Sequence, residues 1–237
     1  MGWAYGPRRP ANKMVTQILS AKAPEALARA AGILRAGGLV AFPTDTVYGL
    51  GALAADSNAV TALYAVKARP DEKSIPILIA TLDQLPQVVL EIGETARRLM
   101  ASFWPGPLTL VLAKSPTLSE AVSRTGTVAV RMPNHPLALS LIAAVGSPLA
   151  VTSANRSGEP STSDPARVKQ RLWGRIDAVL NGGLAPGGVP STIVDCVAVP
   201  PRIVRHGPIS EADILVATRE LGRDASTNPS PHDVAPC

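Results

Sequence analysis

Five cationic side chains of this sequence stand where helices or strands should end. They are Lys67, Arg69 and Lys73 in Lys67-Ala-Arg69-Pro-Asp-Glu-Lys73, Arg131 after Thr127-Val-Ala-Val, and Arg205 after Arg202-Ile-Val. Cations at a helix C-terminus are favoured by the helix dipole and are often only solvated. Pro70 forces the chain out of its helix, however, so Arg69 and Lys73 project from a loop, where such groups can converge on phosphates. Arg131 closes an apolar strand. An Arg beside a core needs either a buried ion partner or an anionic ligand, and its planar fork suits a carboxylate bidentately.

Hydroxyls and amides cluster at other predicted strand ends. Thr44-Asp45-Thr46 follows the apolar run Leu39-Val-Ala-Phe-Pro43 and reads either as a turn bonded to its own side chains or as a set of groups that orients a small polar substrate. Thr152-Ser153-Ala-Asn155-Arg-Ser-Gly158, extended by Ser161 and Ser163, suits ligand hydrogen bonds and a plain turn equally; Ser191 adds a hydroxyl ahead of Thr192-Ile-Val-Asp195. Ser153 is no nucleophile, since neither G-x-S-x-G nor S-x-x-K surrounds a serine here. Gly49-Leu-Gly51-Ala-Leu-Ala54 fits the loose dinucleotide pattern, but a polar segment separates it from the preceding strand, so a Rossmann site is set aside. With no G-x-x-x-x-G-K-[ST], a nucleoside triphosphate must be held by dispersed cations.

Composition narrows the classes. The 237 residues carry 23 Lys+Arg against 18 Asp+Glu, a formal +5 that indicates an anionic partner. Two cysteines and the scattered His135, His206 and His232 supply neither a disulfide framework nor a metal site. No run of 18 apolar residues exists, and Met1 to Lys13 has no apolar core of a secretory signal, so a cytoplasmic protein without membrane contact is expected.

The elements that must position these groups alternate. Helices are predicted from Pro24 to Arg35, from a Ser57 cap to about Val66, and over Glu94 to Phe103, Pro136 to Val145, Pro165 to Trp173 and Glu211 to Leu221. Eight strands are predicted: Leu39 to Pro43, Ile75 to Ala80, Leu108 to Leu112, Val128 to Arg131, Leu149 to Val151, Ala178 to Leu180, Thr192 to Asp195 and Arg202 to Arg205. Interleaved in this way they make an α/β fold, and because some links are too short for a helical crossover the sheet is mixed, with helices on its faces. Residues 1–14 and 222–237 read as disordered tails around a single domain over 15–221.

Taken in order, Pro43-Thr-Asp-Thr-Val-Tyr-Gly-Leu-Gly51, Lys67-x-Arg69-x-x-x-Lys73, Trp104-Pro-Gly-Pro-Leu-Thr-Leu-Val111, Val130-Arg131-Met-Pro-x-His135-Pro, Thr152-Ser-Ala-Asn155-x-Ser-Gly158, Ser191-Thr-Ile-Val-Asp195 and Arg205-x-Gly207 resemble the YrdC-like threonylcarbamoyl-AMP synthase family, in its short single-domain bacterial form. The resemblance implies a YrdC-like domain with a basic concave groove. It also implies synthesis of L-threonylcarbamoyl-AMP from L-threonine, bicarbonate or CO2, and ATP, with release of pyrophosphate. The product would serve threonylcarbamoyladenosine modification at adenosine 37 of tRNA.

Carried over by residue, Lys67 and Arg69 would be catalytic, Thr46, Arg131, Ser153 and Ser191 would hold threonine, and Arg69, Lys73, Thr127, Asn155, Ser163 and Arg205 would hold ATP. Mg²⁺ would ride on the nucleotide phosphates, with no metal ligand from the protein. Implied partners are downstream tRNA threonylcarbamoyltransferase proteins and, at most weakly, tRNA itself. Ser74 stands where the family often has Pro, and Leu78 where longer members have a threonine-binding His. The competing reading is an RNA-binding or ribosome-assembly module using the same groove, which the scarcity of stacking aromatics, eight in the whole chain, counts against.

Overall fold

Alternation along the strands decides how this chain is layered. In β2 (Val40–Pro43), Val40 and Phe42 enter one core and Ala41 the other, and all three are fully buried, so helices cover both faces of the strand. The computed structural model describes residues 15–70 and 72–219; the expected tails, 1–14 and 222–237, lie outside the described residues.

The described residues form ten strands and six α-helices. The strands are β1 (Gln17–Ser20), β2, β3 (Tyr48–Leu53), β4 (Ile77–Leu78), β5 (Leu108–Ala113), β6 (Thr127–Arg131), β7 (Leu149–Ser153), β8 (Ala178–Asn181), β9 (Thr192–Asp195) and β10 (Arg202–Arg205). They make one mixed sheet in the order β1-β8-β2-β3-β7-β4-β6-β5-β9-β10. The helices are α1 (Ala26–Arg35), α2 (Ser57–Lys67), α3 (Glu94–Phe103), α4 (Pro136–Val145), α5 (Pro165–Leu172) and α6 (Glu211–Arg219). The α/β class and the mixed sheet are therefore as expected from the alternation of elements.

Helices α1 and α4 pack side by side through Leu34, Leu141 and Ile142 on one face, against Val40, Phe42 and Leu149. On the other face α2, α3, α5 and α6 contribute Leu63, Leu99, Leu172 and Ile214 to a second core with Leu50, Leu110, Val130 and Val194. The residues that alternate with these last ones, Thr109, Arg131 and Ile193, must face the α1/α4 side. There β4, β6, β5 and β9 make the floor of an open groove.

Four local expectations need correction. Ten strands form rather than eight. β3 carries Gly49 and Gly51, which depress strand propensity, yet a Cβ on Gly49 would sit 2.7 Å from Val151 Cγ1 and one on Gly51 2.8 Å from Phe42 Cε1. The glycines are there so that a buried strand can pass beneath bulky neighbours. β1 is a short edge strand with only Ile18 and Leu19 apolar, paired in parallel with β8. The strand predicted over Ile75 to Ala80 shrinks to β4, because Pro76 has no N–H to donate. Finally, Asp56 rather than Ser57 caps α2, its carboxylate accepting from Asn58 N at 2.9 Å and Ala59 N at 3.1 Å; similarly α1 starts at Ala26, two residues after Pro24.

Candidate active site

The β2–β3 hairpin turn is built by Thr44. Its hydroxyl donates to Val47 O at 2.7 Å and accepts from the Thr46 and Val47 amides. With Thr44 serving the turn, Asp45 and Thr46 are free to meet Arg131 at the end of β6. Arg131 donates from Nη2 to Asp45 Oδ1 at 2.5 Å, from Nη1 to Thr46 Oγ1 at 2.9 Å and from Nε to Gly106 O at 2.9 Å. The turn reading of the Thr-Asp-Thr triple thus holds, and Arg131 has the ion partner that a buried guanidinium requires. The Trp104-Pro-Gly-Pro segment supplies the third contact. Gly106 is held in turn by its own N–H on Met132 O at 2.9 Å.

A cavity of about 180 Å³ opens on this groove, lined by Thr46, Arg69, Arg131, Ser153, Ser191 and Arg205, with Thr44, Thr109, Thr152 and Ser161 among its other polar residues. Six of the predicted site residues are therefore brought to one place from six segments of the chain. Arg69 reaches it because α2 ends in a left-handed Ala68, φ 50°, which turns the chain after Lys67. Its guanidinium is held by Lys73 O at 3.0 Å and Ser74 O at 2.7 Å. Arg205 grips Ser191 O from both Nε and Nη2, at 3.0 and 2.8 Å, while Ser191 Oγ bonds Thr109 Oγ1 at 2.7 Å. Partial burial and then the charge of Arg131 lower the Arg205 pKa, a sign that the two cations share one space.

Lys67 stands directly behind this lining. It is only 2% exposed, and its Nζ donates to Ser153 O and lies 3.5 Å from Ser153 Oγ. Burial pushes its ammonium down to about 7, helped by the charge of Arg69 and opposed by Glu159.

Besides Lys67, four predicted residues do not line the cavity. Lys73 is exposed beside it; Thr127 bonds Thr125; Asn155 spends its amide on Arg156 O and Glu159 O, holding the 155–159 turn; and Ser163 accepts the Ala185 amide through its carbonyl. Asn155 Oδ1 is buried without a partner. Sequence reasoning missed Asp45 as the partner of Arg131, which only the hairpin brings close, and Thr109 as the support of Ser191. It also gave no role to Gly187 and Gly207. A Cβ on Gly187 would lie 2.5 Å from Asp45 O, and one on Gly207 2.4 Å from Thr192 N. Two glycine-containing segments therefore press against the site; Gly207 belongs to the Arg205-x-Gly207 motif, whereas the only sequence signal of Gly187 is its residue type.

Among the described residues no group of His, Cys, Asp or Glu could hold a metal ion, and no helix is long and apolar enough to cross a membrane.

The family model for Sua5, YciO and YrdC proteins, described as telomere recombination, matches residues 32–207. The chain belongs to the Sua5/YciO/YrdC family. It is 45% identical to the threonylcarbamoyl-AMP synthase of Pyrococcus abyssi over 190 residues, 79% of this chain and 56% of that protein. It is 38% identical to a putative threonylcarbamoyl-AMP synthase of Mycobacterium tuberculosis (strain H37Rv), over 90% of this chain and 99% of the other. Among solved structures, that of P. abyssi Sua5 complexed with L-threonine superposes with a TM-score of 0.83 at 41% identity, covering 87% of this chain and 61% of that one. The chain thus spans little more than half the length of the Pyrococcus relative and almost all of the mycobacterial one. In this Sua5/YciO/YrdC chain the seven sequence motifs fall on the walls and supports of the cavity.

Proposed function

We propose that this chain makes L-threonylcarbamoyl-AMP from L-threonine, bicarbonate or CO2, and ATP, releasing pyrophosphate, and that the product is used for threonylcarbamoyladenosine in tRNA. The observation that carries the reading is the division of one cavity. A fork, Arg131, and the hydroxyls of Thr46, Ser153 and Ser191 suit an amino acid, while Arg69 and Arg205 suit a polyphosphate. That P. abyssi Sua5 forms a complex with L-threonine agrees with the first half.

In this reading threonine's amine captures the one-carbon unit as a carbamate. A carbamate oxygen then attacks the α-phosphate and expels pyrophosphate, so the protein need supply no covalent nucleophile. Its contribution is positioning together with stabilisation of charge on the phosphates. Arg69 and Arg205 serve the phosphates directly; Lys73, Thr127, Asn155 and Ser163, outside the cavity lining, would reach only the outer parts of the nucleotide. Mg²⁺ would enter with ATP as part of the substrate, keeping waters and taking its ligands from the phosphates. The product would then pass to tRNA threonylcarbamoyltransferase proteins in the cytoplasm, with adenosine 37 of tRNA as the acceptor.

An RNA-binding module is disfavoured by the cavity itself. Among the described residues no aromatic side chain lines it, so bases would have nothing to stack on. The test is pyrophosphate release by purified protein with ATP, threonine and bicarbonate. Release is expected only when threonine is present; release that ignores threonine, or none at all, rejects the proposal.

A further inference from the structure

Among the described residues no carboxylate lies within ion-pair distance of Lys67 Nζ, and the contacts Nζ makes are both with Ser153. A lysine buried to this degree normally has a counter-ion, because an unpaired buried charge is costly. Here the charged groups that bear on it are Arg69, which repels it, and Glu159, which partly compensates. Ser153 both hydrogen-bonds Lys67 Nζ and lines the cavity. The cavity, for its part, has no evident base. It is lined by hydroxyls, arginines and apolar groups; Asp45 is not among them, pairing with Arg131 through Oδ1 while its Oδ2 is buried.

Carbamate formation needs a base, since an amino acid's ammonium has no lone pair with which to attack carbon. We propose that Lys67, acting through the Ser153 hydroxyl, takes the proton that threonine's ammonium must lose before the amine is carboxylated. The inference rests on the function proposed above. Threonine's ammonium gives a proton to Ser153 Oγ as the Ser153 hydroxyl proton passes to Nζ, leaving a free amine and a lysine ammonium. The amine nitrogen then bonds to the carbon of bicarbonate and the C–OH bond breaks. The departing hydroxide takes a second amine proton and leaves as water. The products are the carbamate, water and protonated Lys67, which accounts for every proton. Lys67 is then cationic when negative charge develops at the α-phosphate, so one side chain serves both steps in turn.

The experiment is the pH profile of threonine-dependent pyrophosphate release, at saturating ATP and bicarbonate, for the unaltered protein, Lys67→Arg and Ser153→Ala. The unaltered protein is expected to gain activity through about pH 7 and then level off. Lys67→Arg keeps a positive charge but cannot take a proton. It is expected to be slower by roughly 10²–10⁴-fold at pH 7, the range for losing a general base, with its rise displaced to alkaline pH. Threonine carbamate formed beforehand in alkaline bicarbonate should restore most of its rate, which a merely structural role for Lys67 would not allow. Ser153→Ala removes one hydroxyl from a partly exposed side chain and carries the same test if the Arg variant does not fold. An unchanged pH profile in either variant, or no recovery with carbamate in a folded variant that still binds ATP, overturns the proton-acceptor role. Absence of threonine-dependent release from the unaltered protein instead overturns the proposed function itself.

Discussion

Arg131 Nη2 and Asp45 Oδ1 lie 2.5 Å apart, with side chains 7% and 11% exposed. The guanidinium proposed to meet a substrate carboxylate already holds one of the protein's own. Counting its contacts shows that this is not a contradiction. Of five N–H donors, one goes to Gly106, one to Thr46 and one to Asp45, which leaves two for a ligand. Asp45 therefore fixes the orientation of the fork without exhausting it, and its second oxygen, Oδ2, is buried without a partner.

Removing either member of this pair has different expected effects. Arg131→Ala leaves the Asp45 carboxylate in a nearly closed site with no cation, a defect of about 3–5 kcal/mol by analogy with broken buried pairs. It should also raise the threonine requirement more than the ATP requirement. Asp45→Asn keeps an oxygen for Nη2 but no charge, so stability should fall less while threonine affinity still weakens as the fork loosens. Urea unfolding together with separate KM values for the two substrates checks this. A variant that moves the ATP requirement first would reassign Arg131 to the nucleotide.

Arg69→Ala should separate activity from stability. The side chain is only half buried, and its two bonds, to Lys73 O and Ser74 O, hold a surface loop, so the expected loss of stability is about 1 kcal/mol. Activity should fall roughly 100-fold or more, because the triphosphate loses a positioned cation. Arg69→Lys should not restore it, since a point charge cannot bond both carbonyls and also face the cavity. Equal thermal and catalytic losses would make Arg69 a loop staple only.

The first two predictions concern residues that the sequence itself singles out, and the reason is physical. An Arg at the end of the apolar strand Thr127–Arg131 is anomalous by local pattern alone, as is a cation just before Pro70. Helices were legible because their apolar spacing and stops are local, as in Pro136–Val145 followed by left-handed Gly146. What stayed hidden was long-range. Asp45 is 86 residues from Arg131 in sequence, and Thr109 is 82 from Ser191; nothing in either neighbourhood announces the partner. β3 was obscured because its glycines answer to Phe42 and Val151, side chains on neighbouring strands.

Gly207→Ala tests how closely Arg205 is held. The added Cβ would meet Thr192 N at 2.4 Å and Ser191 C at 2.6 Å, both backbone atoms that cannot swing aside. The 205–207 segment must therefore lift, drawing Arg205 off Ser191 O. A loss of about 1–3 kcal/mol, typical of overpacking, is expected, with a rise in the ATP requirement several times larger than that in the threonine requirement. Unchanged kinetics in a destabilised variant would show that the grip of Arg205 on Ser191 does not matter to nucleotide binding.

The burial of Lys67 should also be readable in stability, with a definite sign. Its pKa falls from 10.5 in the unfolded chain to about 7 in the fold, so between these values the unfolded state binds more protons and stability rises with pH. Below about pH 7 both states are protonated and the fold carries the full penalty of a buried ammonium. At about 1.4 kcal/mol per pKa unit that penalty is on the order of a few kcal/mol. Lys67→Met, which fills similar space without charge, should therefore be more stable than the unaltered protein at pH 6.5, with the difference shrinking steadily toward pH 10. The same variant should lose catalysis at every pH in that range. Urea midpoints at pH 6.5, 8 and 9.5 for the two proteins isolate the lysine, because other titrating groups cancel in the difference. A difference that stays constant with pH would mean that Lys67 keeps its ordinary proton affinity when buried, and the stability cost argued here would then be absent.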